Sequence, residues 1–201
     1  IRCEDMQDHA KTTDAFNFSQ ACPDENILYP CECIIDDWTN TLNLNCTMVD
    51  GEDELAQVFS SLPSLSFDFL IMHNNQNVKV LRAGVFGKVT FKKFSLTWGV
   101  LEEVEADALD GSKDIVTRMD FDMNHISIFP FETLKRFPNL THLSLSWNSL
   151  SDFPRIYSQS LTDLWLIWNP MGNVPADAFT QLPSLSTVRL GHSELTSIEP
   201  G

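Results

Sequence analysis

Residues 161–169 read Leu161-Thr162-Asp163-Leu164-Trp165-Leu166-Ile167-Trp168-Asn169, with apolar residues at the first, fourth and sixth positions and Asn at the ninth. The run immediately upstream has the same form: Leu140, Leu143, Leu145 and Asn148 fill the four positions. Val116, Met119, Phe121 and Asn124 fill them again, as do Phe67, Leu70, Met72 and Asn75. Phe91, Phe94 and Leu96 keep the frame but place Gly99 where Asn is expected, and Leu185, Val188 and Leu190 are followed by Ser193. First positions at 67, 91, 116, 140, 161 and 185 are 24, 25, 24, 21 and 24 residues apart. A period of this length fits one short strand plus a return segment, the unit of a stacked solenoid.

Within each unit the alternating apolar pair, such as Leu143 and Leu145, turns inward from a parallel strand while the residues between face outward. The ninth-position Asn can bond backbone groups that the turn leaves unpaired, coil after coil. Apolar residues beyond the strand, such as Leu150 and Phe153, or Met171, Val174, Phe179 and Leu182, close the convex side. After Leu140 the return is short, with Ile156-Tyr157-Ser158-Gln159 in place of the usual element. One unit cannot bury both of its faces, so neighbours must stack.

The first coil needs a lid, because it otherwise exposes a strand edge and the end of the core. All five cysteines lie within the first 46 residues, four of them as Cys22, Cys31, Cys33 and Cys46. Such clustering favours a disulfide-stapled cap. Zinc is the rival, but its thiolates usually come two to four residues apart, and Cys31 and Cys33 have one residue between them. Residues 42–46 are expected to form the first strand, followed by a helix with Leu55, Val58, Phe59 and Leu62 on one face behind Asp53 as N-cap. The division is an extension over 1–21, a cap with its helix over 22–66, and six repeats over 67–201, the last incomplete. A chain that stops inside a return segment without a second cap is expected to be a fragment.

The formal charge is −15, from 28 acidic and 13 basic residues. Residues 1–54 hold 13 acids against Arg2 and Lys11, so the repeats are nearly balanced. This excess repels phosphate backbones and anionic lipid, which disfavours nucleic acid. No run approaches the ~20 apolar residues of a membrane span, and no basic-then-apolar leader opens the sequence at Ile1, so either a signal peptide has been removed or none existed; the clustered cysteines decide for a secreted, extracellular chain. Asn-x-Ser/Thr triplets at Asn17, Asn45 and Asn139 are candidate glycosylation sites. Cys3, the odd thiol, is unpaired or bridges to another chain.

These features together resemble extracellular leucine-rich-repeat proteins with a cysteine-rich N-terminal cap, over residues 22–201. A narrower set resembles the arthropod secreted members named after the non-catalytic subunit of a shrimp luciferase, oplophorus-luciferin 2-monooxygenase. It comprises Cys22-Pro23, Pro30-Cys31-Glu32-Cys33, Asn74-Asn75-Gln76-Asn77-Val78, Ala83-Gly84-Val85-Phe86 and Phe129-Pro130-Phe131-Glu132-Thr133-Leu134. The resemblance implies cap pairs Cys22–Cys33 and Cys31–Cys46. It also implies an α/β leucine-rich-repeat solenoid with a parallel concave sheet, and a non-catalytic accessory or binding role. Residues 1–21 with Cys3 depart from that pattern.

Function in a solenoid lies on the variable strand positions that form its concave sheet. Here these include Arg118, Asp120 and Asp122; His142, Ser144 and Ser146; Asp163 and Trp165; and Arg189. The eighth position of each coil, at one rim, carries Trp98, Trp147 and Trp168, with Asn74, Met123 and His192 in the others. Trp is strongly enriched at binding hot spots; the plainer reading is that the indoles only cover one another. Asp120 and Asp122 could act as acid and base or hold Ca²⁺, but an acidic pair on a sheet more often forms a solvated patch or partners an Arg such as Arg118. The histidines lack metal-site spacing, and Ser144 and Ser146 beside His142 lack a strained turn to activate them, so no catalytic residue, metal or cofactor is expected. The expected function is recognition of a protein partner by the concave face and the Trp-bearing rim, with a small catalytic subunit or microbial glycans and lipids as the alternatives.

Overall fold

The structure, a computed structural model, describes residues 22–192 and 197–198. A short helix, α1 (Glu25–Leu28), leads into strands β1 (Glu32–Asp36) and β2 (Thr41–Asn45), and α2 (Glu52–Ser61) follows. Strand β3 (Ser66–His73) begins the repeats. The remaining strands are β4 (Val80–Leu81), β5 (Thr90–Thr97), β6 (Glu103–Val104), β7 (Arg118–Asp120), β8 (His142–Ser144), β9 (Asp163–Trp165), β10 (Asn173–Val174), β11 (Thr187–Arg189) and β12 (Ser197–Ile198). Eight of them make one sheet in the order β1-β2-β3-β5-β7-β8-β9-β11. Only β1 and β2 pair antiparallel; from β2 onward every neighbour is parallel. On the convex side β4 pairs with β6 and β10 with β12, also parallel.

The register stacks like positions. Leu44, Leu70, Phe94, Met119, Leu143, Leu164 and Val188 form one continuous inward row, and all but Val188 are fully buried. Each full burial contributes about 1.5–3 kcal/mol, and none is available to a coil without neighbours. The early coils are filled with aromatic rings. Phe86 contacts Phe59 at 5.0 Å, Phe91 at 5.4 Å and Phe94 at 5.6 Å, so the α2 residue Phe59 locks the cap helix to the first repeats. In the last described coil Leu185, Val188 and Leu190 are only half-buried.

The buried asparagines bond across coils. Asn148 Nδ2 donates to the carbonyls of Phe121, Leu145 and Ser146, while its Oδ1 accepts from Ile126 N. Asn124 and Asn169 repeat the pattern one coil away on either side. Gly99 breaks the series for a steric reason: a Cβ there would lie 2.7 Å from Asn124 Oδ1 and 2.9 Å from the Asn75 carbonyl. The ladder from the next coil already occupies that space.

In the cap, Cys22 is bonded to Cys33 and Cys31 to Cys46. The helix after it starts two residues earlier than Asp53 as N-cap would set. Gly51, at φ 110°, is the N-cap of α2, without a side-chain cap bond. Asp53 lies inside the first turn and its carboxylate pairs with Arg82 at 2.6 Å. Glu52, beside it, accepts from the backbone of Lys79 and Val80, so the first turn of α2 is tied to the next coil by its acids. No helix among the described residues is long and apolar enough to cross a membrane.

Candidate recognition face

The rim is defined by backbone conformation. The eighth-position residues Asn74, Trp98, Met123, Trp147, Trp168 and His192 all adopt the left-handed region, with φ between 57° and 61°. In this conformation the N–H groups of the three tryptophans stay in the sheet ladder: Trp98 N donates to Asp122 O, Trp147 N to Ile167 O and Trp168 N to Gly191 O. The side chain leaves the strand end toward solvent. A left-handed residue with a Cβ costs about 1–2 kcal/mol, least for Gly and Asn. Bulky tryptophans are therefore poor choices for this turn on stability grounds, and retained strain of this kind concentrates at functional sites.

The indoles fall into two groups. Trp147 and Trp168 stack at 4.5 Å, and the His192 ring lies on Trp168 at 4.2 Å and 5°. The faces they turn to one another are thus covered, as the plainer reading holds, while Trp147 and Trp168 as whole residues remain 46% and 42% exposed. Trp98 has no ring partner among the described residues and is 62% exposed.

The concave sheet divides along its length. Over the early coils Lys93 lies over the Phe69 ring at 4.6 Å, and His73 Nε2 bonds Ser95 Oγ at 2.9 Å. Over the later coils the side chains interlock. Arg118 pairs with Asp120 at 3.4 Å. Asp122 Oδ1 accepts from Ser144 Oγ and from Ser146 N, crossing to the next coil. Burial pushes the Asp122 carboxyl above the ordinary carboxylate range despite the Ser144 bond, and the neighbouring Asp120 charge adds to the rise. Asp163, held by Thr162 Oγ1 at 2.7 Å, is shifted the opposite way by that hydroxyl.

His142, Ser144 and Ser146 correct the expectation that strand positions between the inward leucines face solvent: all three are buried. Neighbouring coils explain it. The Trp165 ring packs edge-on to His142 at 4.6 Å, and Asp122 covers the serines. Burial and the Arg118 charge hold the His142 imidazole below its ordinary value. Ser144 Oγ donates to Asp122 Oδ1, a bond that ties β8 to the preceding coil. Arg189 completes the cluster, with its guanidinium 4.3 Å from the Trp165 ring. His142 Nε2 and Trp165 Nε1 are both buried without a hydrogen-bond partner. A buried orphan of this kind costs roughly 1–3 kcal/mol.

Among the described residues no three His, Cys, Asp or Glu side chains are grouped to hold a metal ion. The exposed Asn139 donates from Nδ2 to Asp114 O at 2.7 Å, and the half-buried Asn45 accepts from Thr47 N. Asn17 and Cys3 lie outside the described residues. Trp38, which the repeat pattern gives no reason to single out, sits in the β1–β2 turn and is 99% exposed, with Asp36 Oδ1 accepting from its backbone N–H. Tyr29 and Met48 of the cap are also exposed, at 78% and 76%. The pairing of β1 with β2 is what displays Trp38, and no periodic signal announces that hairpin.

A parallel sheet of 21–25-residue coils, asparagine ladders and a two-bridge N-terminal lid define a leucine-rich-repeat protein with a cysteine-bridged cap. The chain is 32% identical over 183 residues to the oplophorus-luciferin 2-monooxygenase non-catalytic subunit of Oplophorus gracilirostris, matching 90% of the chain and 51% of that relative. It thus spans about half the length of that protein. It is also 36% identical to lumican of Mus musculus over 63 residues, 31% of the chain and 19% of lumican. Among solved structures it superimposes on the TLR13–ssRNA13 complex with a TM-score of 0.56 at 18% identity, over 75% of this chain and 24% of that one, a likeness of fold alone. No protein-family model matches the chain.

Proposed function

We propose that the chain is a secreted, extracellular, non-catalytic scaffold that recognises a protein partner through its concave face and its tryptophan rim. The observation that carries this reading is the placement of three exposed tryptophans in the left-handed conformation at the eighth position of three coils. Stacking does not require that strain of Trp98, which has no ring to stack on among the described residues. Rigid aromatic anchors on a preformed sheet lose little entropy on binding.

The similarity to a protein named a non-catalytic subunit supports a second reading within the same class, an accessory subunit for a small catalytic partner. Sugar recognition by ring stacking is less favoured at Trp168, because a sugar ring packs on an aromatic face and that indole is stacked on both Trp147 and His192. Purification from the native source tests the proposal. A stoichiometric protein that stays bound to the wild-type chain and is lost from the Trp98→Ala, Trp147→Ala, Trp168→Ala variant supports it. Equal retention by both overturns the rim's role, and turnover by the pure chain overturns the non-catalytic assignment.

A further inference from the structure

The cluster over β7, β8, β9 and β11 contains more donors than the chain itself employs. Trp165 Nε1–H can only donate, and it is buried without a partner. The neighbouring imidazole, 92% buried by its 8% relative exposure, has Nε2 in the same condition and donates there in its Nε2–H tautomer. The register sets His142 beside Arg118 on one side and Asp163 on the other, and Trp165 beside Arg189. Arg118 holds Asp120 by one long contact of 3.4 Å and keeps donors to spare, since a guanidinium has five. Arg189 lies over the indole face and is exposed, so its movement opens the cluster. The local acids have other partners: Asp163 is held by Thr162, and Asp122 by Ser144 and Ser146.

From this geometry we infer that Arg118, His142, Trp165 and Arg189 form a receptor for a carboxylate, supplied by an Asp or Glu side chain of the protein partner. Four donors set side by side by the register suit a group that only accepts, and ionised acceptors make the stronger bonds. Asp120, Asp122 and Asp163 stand around the same patch, and the whole chain carries −15. Those charges oppose a polyanion such as a sulfated glycan, while one carboxylate in direct contact with its donors is accommodated. The inference rests on the reading that the concave face binds protein. It also explains why the sheet keeps a buried indole N–H and imidazole nitrogen unpartnered.

The test needs no partner. The indole N–H of Trp165 and the ring protons of His142 are followed by NMR in the full chain during titration with N-acetylglutamate and N-acetylglutamine, each as its α-methyl ester so that only the glutamate carries a free carboxylate, and with a sulfated disaccharide. A saturable shift of both signals with N-acetylglutamate and none with the amide is expected, together with a rise in the His142 pKa. Arg189→Gln, a surface change that leaves the core intact, weakens the N-acetylglutamate response roughly tenfold, and Trp165→Phe weakens its effect on His142 by a similar factor. No response to N-acetylglutamate, or an equal response to the amide, overturns the receptor. A stronger response to the sulfated disaccharide overturns the peptide source. Failure here with partner capture intact leaves the concave-face reading standing, whereas loss of capture with the carboxylate response intact removes that reading alone.

Discussion

At the scale of single residues, two positions show how local geometry overrides pattern. Gly99 stands where the repeat asks for Asn, because the Asn124 amide from the next coil fills the place of its Cβ. Restoring the pattern with Gly99→Asn is therefore expected to destabilise the chain by about 1–3 kcal/mol, read as a lower urea midpoint. Removing a rung where the ladder is complete costs a similar amount. Asn148→Ala leaves the buried Ile126 N–H without its acceptor, at roughly 1–3 kcal/mol, while the carbonyls of Phe121, Leu145 and Ser146 each keep another donor. His142 sets a pH dependence. Its folded pKa is lowered by burial, so the unfolded chain takes up a proton first. Its contribution is fully present above the ordinary value of about 6.5 and is lost as pH falls through and below it. Asp122, with its carboxyl raised, works in the opposite sense at lower pH, where the folded state protonates first. Urea midpoints of the wild type and His142→Asn, measured across the range around pH 6.5, should show the slope in the first and not in the second.

At the scale of elements, the strands were legible because the inward row repeats apolar residues at fixed positions, and the stacking of Leu70, Phe94, Met119, Leu143 and Leu164 follows directly from it. Other features were less legible, each for a physical reason. β1 has no periodic neighbour, and it forms because its pairing with β2 is fixed by a turn at one end and by the bridge from Cys31 to Cys46 at the other. Asp53 resembles a cap in sequence, yet the helix begins at Glu52 behind Gly51, and Asp53 instead pairs with Arg82 of the next coil from inside the first turn. The burial of His142, Ser144 and Ser146 comes from side chains of adjacent coils that only the register brings together. The cap yields a prediction of its own. Opening Cys31–Cys46, which spans 15 residues, by a double Ser substitution should cost about 3 kcal/mol. Hydrogen exchange of α2 and β2 should accelerate before that of β7 and β8, since repeats couple only to their neighbours.

At the scale of the whole molecule, a stacked sheet fixes one rim and one concave face, and the left-handed eighth position turns the first into a row of presented aromatic side chains. That row was legible as a set of residues, whereas its backbone strain and the division into a stacked group and a solitary Trp98 required coordinates. The account stands on the rim and concave face being the surface that meets a partner. The most direct measurement is the affinity of the isolated partner for single variants. At least one of Trp98→Ala, Trp147→Ala and Trp168→Ala should lose about 2 kcal/mol or more, roughly thirtyfold, while Glu132→Ala in the return segment 131–136 binds as the wild type does. Unchanged affinity across all three tryptophan variants, with loss on the return-segment substitution, would contradict it.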